Sequence, residues 1–197
     1  MTRIKMCGIS RMCDIEVINQ LKPEYVGFVF AKKSKRYISF ETAKKLKEAL
    51  DPGICAVGVF VDAPVEEISM LLNDNIIDIA QLHGDEDENY IGQLRKYSNH
   101  PIIKAFCIKG KEDIAAIEQC SADYVLLDSG AGSGECFDWS ILNEIQRPFF
   151  LAGGLNADNV GDAIRMLQPY AVDVSSGIET NGVKDEKKMK AFMECCS

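Results

Sequence analysis

The sequence predicts an α/β fold in which residues 1–197 form a single barrel of eight parallel strands with short loops. Eight short apolar segments recur along the chain, and stretches with helical spacing separate them. Most of these segments carry successive rather than alternating apolar residues, which is typical of parallel strands buried on both faces. Eight such units, without G-x-G-x-x-G after the first strand, favour a closed (β/α)8 (TIM) barrel over a doubly wound open sheet, which shows the same alternation.

The expected elements follow one another in the order that this fold requires. Strands are expected at 4–7, 25–30, 54–61, 76–82, 102–106, 124–127, 149–152 and 172–174. Helices are expected at 14–21, 40–50, 65–73, 87–97, 111–119, 139–145, 156–167 and 185–195. Pro64 and Asn156 stand where two of these helices would begin, as helix start signals do. With 197 residues, the chain is at the lower end of size for this fold, which predicts short loops.

The composition is that of an ordinary soluble globular domain, with 47% hydrophobic and 26% charged residues. A formal net charge of −8 argues against a general nucleic-acid or anionic-membrane binder. The basic residues at 32–36 are nevertheless a candidate site for one small anion. No apolar run approaches the roughly 20 residues that span a bilayer, and the start of the chain lacks the apolar core of a signal peptide. We therefore expect a cytoplasmic protein.

Cysteine usage predicts reduced thiols rather than a disulfide framework or a metal site. The eight cysteines are scattered without a Cys-x-x-Cys pair, and the chain is long enough to build a core without covalent staples. Only two histidines occur, His83 and His100, and neither lies at ligand spacing from a cysteine. Most of the cysteines are expected to be small buried side chains, and no metal is expected.

A thiol and a carboxyl end two of the expected strands. Cys7 ends the first strand and Asp128 the sixth, and the carboxyl ends of all strands of such a barrel open on one mouth. Facing each other there, the two groups form a possible base and acid pair. Each also has a purely structural interpretation, Cys7 as a buried small residue and Asp128 as a cap of the next turn. A base role requires local help, because a thiol ordinarily has a pKa of about 8.5.

Small residues follow the seventh and eighth strands. They are Gly153 and Gly154 after the seventh, and Ser175, Ser176 and Gly177 after the eighth. Loops at these two places frequently bind phosphate through exposed backbone amides and the start of a helix. Tight turns that need glycine are the structural alternative. The chain has no G-x-x-x-x-G-K-[ST] string, so nucleoside triphosphate hydrolysis is not indicated.

Four further polar residues are candidates for binding at the same mouth. Gln81 and His83 lie two apart and share one face of a strand. Asp173 interrupts an apolar strand and needs partners if it is buried. Arg36 ends the basic run and can hold a carboxylate with two parallel hydrogen bonds, although a solvated basic loop is the commoner outcome.

Seven stretches carry a resemblance that covers essentially the whole chain. They read K-M-C-G-I at 5–9, G-F-V-F at 27–30 with S-K-R-Y-I-S at 34–39, V-G-V-F-V at 57–61, Q-L-H-G at 81–84, F-D-W at 137–139, L-A-G-G-L at 151–155 and V-D-V-S-S-G-I-E at 172–179. In this order, after successive strands, they resemble phosphoribosylanthranilate isomerases, single-domain barrel enzymes of tryptophan biosynthesis.

The resemblance implies an Amadori rearrangement of a phosphosugar–anthranilate substrate without metal or cofactor, in a monomer or homodimer that binds neither nucleic acid nor membrane. By similarity, Cys7 is the base, Asp128 is the acid and Arg36 anchors the anthranilate carboxylate. Substrate binding or its support is expected of Gln81, His83 and Asp173. Phosphate binding is expected of Gly132, Ser133, Gly153, Gly154, Ser175, Ser176 and Gly177.

Two departures and two alternative functions accompany the resemblance. Ala131 and Glu135 stand where the family commonly has paired glycines and a lysine, so a lysine contact to phosphate is not expected from this loop. Ala157 replaces a proline that the family often has, which should affect helix initiation more than chemistry. A related lyase, similar to indoleglycerol phosphate synthase, would need a lysine acid, for which Lys104 is the candidate. A non-catalytic phosphosugar-binding protein is the other alternative, against which intact Cys7 and Asp128 argue.

Overall fold

The eight expected strands form one closed parallel barrel in chain order. The computed structural model describes residues 2–108, 110–128, 142 and 144–196. Each strand pairs in parallel with its neighbours along the chain, and the first closes the barrel by pairing with the eighth. The predicted (β/α)8 barrel is thus confirmed, and the open sheet is excluded.

The bounds of the elements agree closely with the expected pattern. The barrel strands are β1 Arg3–Cys7, β2 Tyr25–Val29, β3 Cys55–Phe60, β4 Ile79–Leu82, β5 Ile102–Cys107, β6 Tyr124–Asp128, β7 Phe149–Ala152 and β8 Ala171–Val174. The helices are α1 Met12–Leu21, α2 Phe40–Ala49, α3 Val65–Asn73, α4 Glu88–Leu94, α5 Ile114–Gln119, α6 Val160–Leu167 and α7 Glu186–Cys195. The helix expected at 139–145 lies mostly outside the described residues. No helix in the described ranges has both the length and the apolar character needed to cross a membrane.

Two of the boundaries that differ from the expectation do so for clear local reasons. Strand β4 begins at Ile79 rather than at 76, because the backbone N–H groups of Ile76 and Ile77 bond to the carbonyl oxygen of Leu71 and so belong to the end of α3. Helix α6 begins at Val160 rather than at 156. The side chain of Asn156 accepts the backbone N–H groups of residues 158 and 159, which forms a separate turn before the helix.

A short hairpin after β8 is an element that the sequence analysis missed. Strands β9, Glu179–Thr180, and β10, Val183–Lys184, pair antiparallel around Asn181 and Gly182. Both turn residues have positive φ, 54° and 77°, as a tight two-residue hairpin requires. The Asn-Gly pair at 181–182 is a sequence signal for such a hairpin. The hairpin places two charged side chains beside the mouth of the barrel.

The interior of the barrel is apolar at the bottom and polar at the top. Its apolar part is formed by inward side chains of the strands, which are Tyr25, Val57, Ile79, Ile103, Leu126, Phe150, Ala152 and Ala171. At the bottom, the Phe150 ring meets the edge of Tyr25 at a centroid distance of 5.3 Å, and Tyr124 stacks on Tyr170 at 5.1 Å. A second, larger apolar cluster fills the space between the strands and the helices. Because aromatic side chains close the bottom of the barrel, polar groups can meet a ligand at the other end, where the strands have their carboxyl ends.

Candidate active site

A cavity of about 450 Å³ opens at the carboxyl ends of the strands. Its lining consists of Cys7, Arg36, Val59, Gln81, His83, Asp128, Ala152, Gly153, Gly154, Leu155, Asp173, Ser175 and Ser176. The structure therefore brings nearly all of the sequence-predicted site residues to one place. Gly177 lies next to the lining, and Gly132 and Ser133 lie outside the described residues.

Cys7 is the last residue of β1 and is almost completely buried, with 8% of its surface exposed. Its sulfur lies close to Gly27 of β2, where a Cβ atom would come within 2.6 Å of Sγ. The Ser175 hydroxyl donates to the carbonyl oxygen of Cys7 at 3.2 Å, which ties the end of β1 to the loop after β8. Burial raises the pKa of the thiol, while the positive charge of Lys5 acts in the opposite direction. The nearby positive charge therefore influences what fraction of Cys7 is present as thiolate at a given pH.

Lys5 lies one inward position below Cys7 and is completely buried. Its Nζ atom donates to Asp173 Oδ1 at 3.0 Å. Burial alone would lower the pKa of Lys5, but the negative charges of Asp173 and Cys7 outweigh it, and the pKa is raised. An ammonium ion therefore lies beneath the candidate base. The sequence analysis placed Asp173 in the site but missed Lys5, although its position two residues before Cys7 on one strand was a usable signal.

Asp128 ends β6 on the other side of the cavity, and His83 contacts it. His83 Nε2 lies 3.8 Å from Asp128 Oδ2, and Gln81 Nε2 lies 3.0 Å from His83 Nδ1. With the Gln81 amide as donor, Nδ1 accepts and His83 carries its proton on Nε2, facing Asp128. Burial lowers the pKa of His83, so the ring is neutral near pH 7. The predicted inward placement of Gln81 and His83 agrees with this arrangement.

Arg36 reaches the cavity across the backbone of Gly8. Gly8 has a φ of 81°, and a Cβ atom there would overlap the Arg36 side chain. The guanidinium already has an internal partner, since Nε and Nη2 donate to the two carboxylate oxygens of Glu179 at 2.6 and 2.8 Å. Arg36 is thus held in place by an ion pair, although about a third of its side chain remains exposed. Because a guanidinium has five N–H donors, further donors remain for an anion in the cavity.

Glu179 connects Arg36 to a second buried cation, Lys184. Lys184 Nζ donates to Glu179 Oε1 at 2.7 Å and to the carbonyl oxygen of Ser175 at 2.9 Å. The hairpin of β9 and β10 therefore locks Arg36 and the loop after β8 together. Burial opposes ionisation of Glu179, but hydrogen bonds from Arg36 and Lys184 prevail and lower its pKa to about 2. Neither Glu179 nor Lys184 was assigned a role from sequence.

The Glu179 carboxylate should make stability depend on pH. Its pKa falls from 4.5 in the unfolded reference to about 2 in the folded protein, so its stabilising effect is complete above 4.5 and is lost as the pH falls through about 2. At neutral pH the effect is on the order of 3 kcal/mol. Glu179→Gln should therefore lower the unfolding temperature most near pH 7 and progressively less below about pH 4.5. Thermal unfolding followed by circular dichroism measures this, and a deficit that does not change with pH would contradict it.

The two candidate phosphate loops pack against each other. Gly153 and Gly154 have φ values of 98° and 63°, which other residues rarely adopt. A Cβ atom at Gly177 would overlap the carbonyl oxygen of Leu155, so glycine is needed for the close approach of the loops. A short 3₁₀ turn, Ser176–Ile178, follows β8. Since α6 begins only at Val160, no helix starts directly after the paired glycines, contrary to expectation.

Lys104, the candidate acid of the alternative lyase, points away from the mouth. Its Nζ atom donates to the carbonyl oxygen of Gly84 at 2.6 Å and to Glu86 Oε2 at 3.2 Å. Its neighbour Ile103 faces the barrel interior, whereas Lys104 lies in a separate cavity beside α4 and α5. Lys104 thus holds the outer layer together and is unavailable to a substrate in the mouth.

Fold and site together are those of a (β/α)8-barrel enzyme with a thiol, a carboxyl and two glycine-containing loops at its mouth. A sequence model of N-(5'phosphoribosyl)anthranilate (PRA) isomerase matches residues 4–195. The N-(5'-phosphoribosyl)anthranilate isomerase of Endomicrobium trichonymphae is 48% identical over 194 residues, which cover 96% of this chain and 95% of that protein. The chain belongs to the phosphoribosylanthranilate isomerase family.

Solved structures agree with this assignment. The phosphoribosyl anthranilate isomerase of Thermotoga maritima superposes with a TM-score of 0.90 at 36% identity, covering 100% of this chain and 98% of that one. A phosphoribosyl anthranilate isomerase in complex with reduced 1-(o-carboxyphenylamino)-1-deoxyribulose 5-phosphate gives 0.88 at 35% identity, with the same coverage. The 3-hexulose-6-phosphate synthase of Salmonella typhimurium, with 0.76 at 15% identity and coverage of 99% and 98%, shares the fold alone.

Proposed function

We propose that this chain converts N-(5'-phosphoribosyl)anthranilate into 1-(2-carboxyphenylamino)-1-deoxyribulose 5-phosphate, with Cys7 as base and Asp128 as acid. The observation that carries the proposal is their placement on the ends of β1 and β6, where both line one cavity together with Arg36, Gly153 and Gly154. A barrel alone does not define a reaction, because many chemistries use this fold. The proposal therefore depends on the residues at the mouth.

The reaction requires one proton donated and one proton removed. Asp128 gives its proton to the ring oxygen of the ribose, the bond between that oxygen and C1 breaks, and a Schiff base forms at C1. The Cys7 thiolate then takes the proton from C2, which yields an enolamine. The enolamine tautomerises to the ketone. Proton exchange with water restores the carboxylic acid and the thiolate, so that atoms and charge balance over the cycle.

The two anions of the substrate hold it across the mouth. Arg36 binds the anthranilate carboxylate, and the loops after β7 and β8 bind the phosphate through their backbone amides. Gln81 supports the sugar, because its buried Oε1 atom has no hydrogen-bond partner among the described residues and a sugar hydroxyl would satisfy it. The phosphate-binding residues proposed are Gly153, Gly154, Ser175, Ser176 and Gly177, and Gly132 and Ser133 stay predictions of the sequence.

Replacing Arg36 by Met should weaken binding of a reduced product analogue about tenfold to hundredfold, because a charge-assisted pair with the carboxylate is lost. The same analogue without the ring carboxylate should lose far less, since its partner for Arg36 is missing already. Calorimetric titration of both ligands against both proteins measures the coupling. Equal losses would show that Arg36 acts on the phosphate or on the loops, and the proposed orientation of the substrate would be wrong.

Incubation with freshly prepared phosphoribosylanthranilate tests the proposed function. The fluorescence of the substrate should disappear at a rate proportional to protein concentration, and the product should be the 1-amino-1-deoxyketose phosphate. Lys104→Met should keep this activity, since Lys104 lies outside the mouth. Folded wild-type protein that leaves the fluorescence at its background rate would overturn the proposal. The lyase would be favoured instead if the wild-type protein decarboxylated the ketose phosphate and Lys104→Met lost that decarboxylation.

Three broader expectations stay predictions: a single domain over residues 1–197, a monomer or homodimer, and a cytoplasmic location. A solved structure of monomers generated from the dimeric isomerase of Thermotoga maritima gives a TM-score of 0.87 at 35% identity, covering 100% of this chain and 98% of that one. Analytical ultracentrifugation of the purified protein distinguishes the two oligomeric states.

A further inference from the structure

The ion pair beneath Cys7 interrupts an otherwise apolar layer of the barrel interior. Lys5 is completely buried and pairs with Asp173, which lies opposite it on β8. On its other side, Lys5 stands opposite Tyr25 of β2. A buried ion pair is often no more stabilising than an apolar pair of similar volume. Its position directly below Cys7 suggests a role other than packing.

Charged groups face Cys7 from several elements. Lys5 lies on its own strand, Asp173 on β8, Lys184 on β10 and Arg36 after β2. His83, directly after β4, and Asp128, at the end of β6, line the far side of the same cavity. The cations among them are already paired with carboxylates. Lys184 and Arg36 share Glu179, and Lys5 is held by Asp173. The cation on the same strand face as the sulfur is Lys5, and its charge at the sulfur is reduced by Asp173.

We propose that Lys5 is a positioning residue that stabilises the thiolate of Cys7, and that Asp173 sets the strength of this effect by holding the Lys5 ammonium. The catalytic meaning of this inference rests on the proposed function, because it concerns the proposed base. The charge coupling itself is a property of the unliganded protein.

The proton balance follows from the arrangement. Cys7 loses its proton to water and becomes a thiolate beside the Lys5 ammonium, which keeps its own proton throughout. After Cys7 takes the C2 proton, the sulfur is neutral and the charges of Lys5 and Asp173 balance each other. Removing the cation and removing its counter-ion must therefore have opposite effects on the thiol. General damage to the site would not produce opposite signs.

Alkylation of Cys7 by iodoacetamide measures the thiolate directly, because the thiolate is the nucleophile. Peptide mass spectrometry should follow Cys7 as a function of pH, with exposed Cys13 as the internal standard. At about pH 8, Lys5→Met should slow the alkylation of Cys7 about tenfold or more, which corresponds to about one pKa unit. Asp173→Asn should accelerate it several-fold. Lys104→Met is the matched control, because it also removes a buried lysine paired with a carboxylate but lies outside the mouth.

Alkylation rates of Cys7 that move in the same direction in Lys5→Met and Asp173→Asn, or no further than in Lys104→Met, would overturn the inference. If Lys5→Met does not fold, Asp173→Asn alone decides, and slower or unchanged alkylation overturns it. With substrate, Lys5→Met should lower kcat about tenfold near neutral pH and leave KM nearly unchanged. If the two variants shift the alkylation of Cys7 in opposite directions but the wild-type protein has no isomerase activity, the proposed function is refuted and the charge coupling still stands.

Discussion

Cys7→Ser should lower kcat for phosphoribosylanthranilate about 10²–10⁴-fold, with KM changed little. A hydroxyl is similar in size to a thiol but far too weakly acidic to provide the anionic base. The surroundings cannot correct this, because the Lys5 ammonium would also lower the pKa of an alcohol, but from a value so far above neutrality that no alkoxide forms. Steady-state kinetics on folded variant protein is the measurement.

Cys120→Ser is the matched control, since Cys120 is also a buried cysteine but lies in the outer layer between β5 and the helices. It should retain nearly full activity. A Cys7→Ser enzyme that works within a few-fold of the wild type would show that Cys7 is a packing residue. In that case another base would have to be sought at the mouth.

Asp128→Asn should lower kcat by a similar factor of about 10²–10⁴, because an amide keeps the shape of the side chain but cannot protonate the ring oxygen. Asp123→Asn is the control, because Asp123 pairs with Arg95 near the surface at the opposite end of β6.

The pH profile separates the acid role of Asp128 from a structural one. A carboxyl ordinarily titrates well below a thiol, so the fraction with protonated acid and deprotonated base is constant between the two pKa values. The wild-type rate should be flat there. Without the carboxyl, the remaining rate should rise with pH as the thiolate forms. A flat profile retained by Asp128→Asn would remove Asp128 from the acid role.

The strand pattern was sufficient to place Cys7 and Asp128 at one mouth. Successive apolar residues identify buried parallel strands, and the last residue of each such strand lies at the same end of a closed barrel. The inward positions of Gln81 and His83 followed from their spacing of two residues. Local periodicity thus predicts which residues share a cavity, because residues at the same end and on the same face of neighbouring barrel strands lie close together.

The ion pairs of the site could not be predicted in the same way. Lys5 meets Asp173, and Arg36 meets Glu179, over separations of 168 and 143 residues. Such contacts depend on the closure of the barrel and on the conformation of the hairpin after β8. Sequence reasoning therefore treated Arg36 as a free carboxylate anchor, whereas the structure shows that Glu179 holds it. The outward orientation of Lys104 was available from alternation once the bounds of β5 were known.

The fate of the C2 hydrogen tests the central claim most directly. With phosphoribosylanthranilate deuterated at C2, the account predicts a primary isotope effect on turnover and release of the deuterium to water, because Cys7 removes it as a proton that exchanges with solvent. Nuclear magnetic resonance of the product at C1 and C2 measures this. Deuterium that is retained at C1 and is transferred equally fast by Cys7→Ser would show that the hydrogen moves within the substrate without this base, which would contradict the account.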